Sequence, residues 1–327
     1  MRRIIIIPGI LALTTLGLTI RAGAFQSPAE GGVLLVTNKS ANTLSIIDPA
    51  TGEELANLPT GSSPHEVAAT PNGKLAFIAD YGGNTLTVVD VAGRKVSGTV
   101  DLGEHRRPHG IVVSSDGSSV WVTTEGSQDL VEVDVATRSV KRAISTGQRT
   151  THMVALVENR NKAYTANIGS GNVTVIDTKA GLVLAHIPTG AGAEGIAATP
   201  DGRYVLVTNR EAGTITAIDA ASDEIVHSAD VGGFPIRVEV TPDGKRALVS
   251  QAEAETLLEI ELDGFQVSRR LSIGRFPVGI EIRPDGAVAY VANTRDNVLT
   301  IVDLTTFEAA GTLEAGDEPD GMAWAGL

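Results

Sequence analysis

Along most of the chain, short runs of β-branched and apolar residues alternate with turn-forming residues, and almost nowhere do apolar positions recur at the helical period. The segment from Gly195 to Gly232 is typical, reading GIAAT, PDG, RYVLVTN, TITAID and EIVHSADVG. Four short strands joined by turns are predicted from this pattern. Asp-Gly pairs at Asp116-Gly117, Asp201-Gly202, Asp243-Gly244 and Asp285-Gly286 suit tight hairpins, because glycine adopts the positive φ such turns need. One unit reads Glu158-Asn159-Arg160-Asn161 instead, and asparagine is the next best residue for that backbone.

The pattern repeats about every 42–44 residues. One aligned position carries His65, His109, His152, Glu194, Ile236, Val278 and Asp320, and from each the register continues without a gap. A four-stranded unit of this length that buries its faces only against its neighbours is a propeller blade. The chain begins at about Val33 with the equivalents of strands two to four (VLLVTN, TLSIID, EELANLPTG) and finishes with the equivalent of strand one, DGMAWAG. The expectation is therefore an all-β, seven-bladed β-propeller of four-stranded antiparallel blades. Its ring is closed by a blade shared between the two terminal segments.

The same alignment gathers the candidate chemistry. The seven aligned positions are expected to ring one mouth of the central channel, so that five adjacent blades offer Asp320, His65, His109, His152 and Glu194 while two offer Ile236 and Val278. Imidazoles beside carboxylates suit a divalent metal such as Zn, Fe, Cu or Mn. On this reading His65, His109 and His152 are the metal ligands, and Glu194 or Asp320 moves a proton. Strand capping by the same histidines is the alternative. Arg237 stands where other blades have Gly110, Gly195, Gly279 and Gly321. It is a candidate catalytic group that grips a carboxylate or phosphate, or else the partner of Glu194 or Glu66 in an ion pair. Arg107, Arg149, Phe234 and Phe276 in the loops leading to the inner strands are candidate substrate-binding residues, beside Arg106 and Arg275.

Other features carry less. GAGAEG from Gly190 leads into a strand rather than a helix, which rules out its use as a dinucleotide fingerprint. The aspartates from Asp48 to Asp303 that end each third strand are read as turn formers. Asp80 and Thr124, which end second strands in the histidine blades, are candidate supports for the imidazoles. His105, His186 and His227 lie out of phase and are read as surface residues.

Composition narrows the classes. Residues 1–24, MRR followed by IIIIPGILALTTLGLTI and AGA, read as a secretory signal peptide, with an uncleaved anchor as the alternative. A short lead of residues 25–31 and a single propeller domain, 32–327, follow. The expected destination is the periplasm or the exterior, with no membrane span once the signal is removed. The absence of cysteine excludes disulfides and thiol catalysis. With 39 acidic against 26 basic residues, the surface repels phosphate backbones, which disfavours a nucleic-acid partner.

AYVAN at Ala289 to Asn293, LVTN at Leu206 to Asn209 and the repeated PDG turns resemble the YVTN β-propeller repeat family over nearly all of residues 32–327. That resemblance implies the fold and export; for function it implies binding platforms as well as architectural cousins among quinoprotein subunits, lactonases and a metal-dependent antibiotic lyase. Two functional expectations stand. One is a metal-dependent lyase or hydrolase acting on a small organic anion or carbonyl compound at the mouth. The other is a noncatalytic platform for a protein or polymeric partner.

Overall fold

The computed structural model describes residues 31–326, so the segment read as a signal peptide lies outside the described residues. Seven antiparallel sheets of four strands each form a closed ring. In chain order the first blade spans Pro64–Asp101, the second Pro108–Ser145, the third Thr151–Pro188 and the fourth Ala193–Asp230. The fifth is Pro235–Ser272 and the sixth Pro277–Glu314. The seventh combines Pro319–Gly326 as its inner strand with three strands from Gly32–Pro59. Val33 pairs with Ala325 and Leu35 with Ala323 in that shared sheet, so backbone hydrogen bonds close the ring without a covalent link.

The core lies between blades rather than inside them, because a single sheet has two apolar faces and nothing of its own to cover them. Leu35, Leu44 and Ile46 of the seventh blade pack on Ile78 and Val89 of the first. Comparable clusters fill the other interfaces, for instance Phe77 and Val88 against Val122 and Val131, or Leu248 and Leu257 against Ile280 and Val291. At about 1.5–3 kcal/mol for each fully buried large side chain, these interfaces supply the main stabilisation. The hairpin without glycine closes through Asn161, whose φ of 53° does what glycine does elsewhere.

The inner strands come closest. Gly110, Gly195, Gly279 and Gly321 each face the backbone of the following blade, and a Cβ on Gly279 would lie 1.9 Å from the Asp320 carbonyl oxygen. Hydroxyls of the adjoining second strands lock the same contacts: Thr37 donates to the carbonyls of His65 and Gly321, and Thr208 to that of Ile236. Thr123 donates to the His152 carbonyl, and Ser250 to that of Val278. The backbone of each of these mouth residues is thus held by the preceding blade.

Gly279→Ala is expected to cost about 2–3 kcal/mol by overpacking this junction. Gly326→Ala, with nothing in the way of its Cβ, should be near neutral. Thermal unfolding of the two variants checks this.

Candidate functional site at the channel mouth

The residue that precedes each inner strand has a left-handed backbone in all seven blades: Ser63, Arg107, Thr150, Gly192, Phe234, Phe276 and Glu318 have φ between 51° and 73°. Only Gly192 takes that conformation without steric cost. In this position its carbonyl accepts the N–H of the residue just beyond the second strand, as Ser63 does from Tyr81 at 3.1 Å and Arg107 from Glu125 at 3.0 Å. A second ring of side chains is thereby set beside the first: Lys39, Tyr81, Glu125, Ile168, Arg210, Ala252 and Thr294. Sequence reading missed this ring. It stopped one residue short, at Asp80, Thr124 and the asparagines, which turn out to be fasteners within their sheets. Asp80 accepts the Gly61 N–H and the hydroxyls of Thr85 and Thr87, and Asn209 donates to Thr214 and Thr216.

The three aligned imidazoles converge. The His109 and His152 ring centroids are 3.7 Å apart, and those of His65 and His109 4.9 Å. Tyr81 packs against His65 with ring centroids 4.3 Å apart and planes tilted by 41°, and donates its hydroxyl to Glu125 at 2.8 Å, while Glu125 reaches across to Nδ1 of His152. Ligand atoms of His109, Glu125 and His152 all lie within 4.8 Å of one another. His65 is not in this trio, because its Nδ1 faces its own backbone at Ser63 O, 2.9 Å away, and its ring packs on Tyr81. Glu125 thus occupies the third place that the repeat spacing assigns to His65.

Charge is threaded around this group. Nε2 of His152 lies 3.5 Å from Glu194, which is paired with Arg210 at 2.7 Å, and Lys39 stands 3.4 Å from Asp320. Arg237, on the fifth blade, pairs across the bore with Glu66 of the first and comes within 3.7 Å of Glu194. Both partners offered by the ion-pair reading of Arg237 are therefore present. The bond to Glu66 is a bar beneath the histidines. Arg107 sits 4.7 Å over the Tyr81 ring, and Arg149 is exposed and donates to Gly169 in the loop beyond the second strand of its own blade. Phe234 and Phe276 pack with Ile236, Ala252 and Val278 into an apolar wall, under Arg210 and Arg295 respectively. His105, by contrast, pairs with Asp129, and His227 stacks on Phe265, away from the mouth.

The neighbouring imidazoles are pushed in opposite directions. Burial lowers the pKa of His109 well below the ordinary value, and the charges of His152 and His65 lower it further. Burial also opposes the charge on His152, but its hydrogen bond to Glu125 and the carboxylate of Glu194 3.5 Å away outweigh it and raise its pKa. Burial and Glu125 push Tyr81 up to about 12. Nδ1 of His109 is buried without a partner, while Nε2 of His152 and Nη1 of Arg237 make no hydrogen bond but face Glu194 at 3.5 and 3.7 Å. An unpaired buried nitrogen such as Nδ1 of His109 costs about 1–3 kcal/mol unless something binds it.

Residues 102–287 match the YNCE-like β-propeller family. The chain belongs to that family. No curated protein matches it in sequence. Among solved structures, hydrazine synthase of Kuenenia stuttgartiensis is similar at a TM-score of 0.76 and 20% identity, over 90% of this chain and 99% of that one. The periplasmic gluconolactonase PpgL of Pseudomonas aeruginosa gives 0.76 at 18% identity, again over 90% and 99%. A functionally unknown protein of Desulfotomaculum acetoxidans gives 0.80 at 13% identity, with the same coverage. At these identities the likeness establishes the fold.

In the metal-free protein, nitrogen-resolved NMR at neutral pH should find His152 doubly protonated and His109 neutral. Because the folded pKa of His152 lies above its ordinary value of 6.5, its contribution to stability is complete below that value and fades as pH rises through the raised one. His152→Gln should therefore flatten the alkaline side of the Tm–pH curve. An unchanged curve contradicts the assignment.

Proposed function

We propose that this YNCE-like propeller is an exported metal-dependent hydrolase, with its metal held by His109, Glu125 and His152 and its substrate a small lactone or related carbonyl compound entering from the mouth. The observation that carries the reading is the unpaired Nδ1 of buried His109 beside Glu125 and His152, a two-imidazole, one-carboxylate set of the kind that holds Zn, Fe, Cu or Mn. A metal there would polarise a carbonyl and bring a bound water to a pKa of about 7. Binding requires His152 to give up a proton, so affinity should fall in acid. Glu194, at 3.5 Å from His152 and kept ionised by His152, Arg237 and Arg210 against its burial, would relay that proton towards solvent rather than keep it. His65 and Tyr81 line the approach, and Arg107 over Tyr81 favours substrates with negative charge. Asp320, paired with Lys39, balances the charge of Arg237 from the far side.

Two further observations support the reading. The N-terminal segment has the form of an export signal, and among the described residues no helix is long and apolar enough to cross a membrane. A periplasmic gluconolactonase shares the fold. A second reading, the partner-binding platform, is favoured by Leu182 and Leu184 on the outer strand of the third blade and Ile225 and Val226 on that of the fourth, all exposed.

Metal analysis of the purified protein, with a panel of aliphatic lactones as substrates, separates the two. Near-stoichiometric metal and hydrolysis are expected in the wild type, both lost in His109→Ala, Glu125→Ala and His152→Ala. His65→Ala should keep the metal and lose about tenfold or more in kcat/KM. Substoichiometric metal, unchanged across all four variants, would leave the platform.

A further inference from the structure

Below the Arg237–Glu66 bar the bore widens into a cavity of about 740 Å³, within the range of small-molecule sites. About half of its wall is hydrocarbon from the inner strands, including Ile196, Val238, Ile280, Met153 and Met322. Each of the inner strands carries a register shift near its start. A bulge of this kind resets the alternation of side chains, so that positions three apart share the channel side.

Three residues beyond the mouth position, five blades carry Ala68, Val112, Ala155, Ala197 and Ala323, while the fifth and sixth carry Glu239 and Glu281. These are the two blades whose mouth residues are Ile236 and Val278. Polarity is thus inverted from one level of the channel to the other. Both carboxyls line the cavity. Glu281 accepts the Trp324 N–H at 3.0 Å, and neither glutamate has an ion-pair partner among the described residues. Burial pushes Glu239 up to about 7 and Glu281 well above the carboxylate range, with the charge of Glu239 raising Glu281 further. Arg237, also in the cavity lining, is 7% exposed, and its Nη1 makes no hydrogen bond, its nearest carboxylate being Glu194 at 3.7 Å.

Two carboxyls without an ion-pair partner at one pole, a guanidinium nitrogen without a hydrogen bond at the other and hydrocarbon on the wall between them describe a complementary ligand. We infer that the lower cavity is a second binding site, for an apolar amino acid or its amide. The ammonium is seated at Glu239 and Glu281, the carbonyl oxygen is directed at Nη1 of Arg237, and the side chain lies on the Val238, Ile280 and Met322 wall. The site is separate from the metal trio above the bar and stands or falls without it.

The protein supplies its own reporter. Apart from Met1, its methionines are Met153 and Met322, and both line the cavity. Titrations of the metal-free mature protein with phenylalanine amide, phenylalanine, phenethylamine and hydrocinnamate, followed by methionine-methyl NMR and calorimetry, test the inference. Phenylalanine and its amide should shift both methyl signals; phenethylamine, lacking the oxygen, should bind more weakly; and hydrocinnamate, lacking the ammonium, should not bind. The Glu239→Gln/Glu281→Gln variant keeps the side-chain shape and should bind the amide at least about tenfold more weakly, with its Tm showing that it is folded. His109→Ala should bind as the wild type does. Hydrocinnamate binding as tightly as the amide, undiminished affinity in the double variant, or static methyl signals with every probe would overturn the inference.

Discussion

The carbonyl of the residue that precedes each inner strand accepts an N–H from the loop beyond the second strand, and the candidate site is assembled by that bond. It requires a left-handed backbone at a residue that is glycine in one blade and serine, threonine, arginine, glutamate or phenylalanine in the others. For a non-glycine residue this costs about 1–2 kcal/mol. The ring tolerates the cost because each inner strand is already fixed by its neighbours, through close glycine approaches and through hydroxyls such as Thr37 and Thr208. What is gained is placement. Glu125 arrives beside His109, Tyr81 beside His65 and Arg210 beside Glu194, all at the mouth of the channel.

Chemical differentiation then comes from variation on a uniform frame. The blades share hydrogen bonds and turns, yet their mouth residues divide into a charged arc and an apolar arc. The Arg237–Glu66 bond spans the bore between the two levels. An ion pair taken out of water adds little net stability. Its structural consequence here is partition: the imidazole group lies above it and the glutamate-lined cavity below. Opposite shifts on His109 and His152, 3.7 Å apart, follow from the same arrangement, since only His152 is flanked by carboxylates on both ring nitrogens.

The repeat, the strand count, the shared closing blade and the placing of His65, His109 and His152 at one mouth were legible in the chain, whereas the meeting of their imidazoles was decided by the tertiary structure. A period of 42–44 residues with turn signals in fixed phase admits few architectures, and in a closed ring equal phase means equal height along the axis. The turn role of the third-strand aspartates was legible too: Asp219 accepts from the backbone of Ala221 and Ser222. Glu125, Tyr81 and Arg210 were harder to find. They share a phase, but as glutamate, tyrosine and arginine they have no common residue type to attract attention, and their importance arises from a loop contact that strand periodicity does not encode. Glu239 and Glu281 escaped for a related reason. An acid three residues beyond the mouth faces the channel only because a bulge has shifted the alternation.

Local pattern alone therefore determined which elements form, how many there are and which residues stand at the same height, because these depend on short-range alternation and on repetition. Which neighbours each side chain meets was decided by the tertiary structure. Arg237 and Glu66 are separated by 171 positions along the chain, and the bond between them exists because ring closure brings opposite blades within reach across a narrow bore. The same closure gives His109 and His152 a shared, dehydrated environment. Their electrostatics depend on that shared space, and no stretch of chain taken singly contains it.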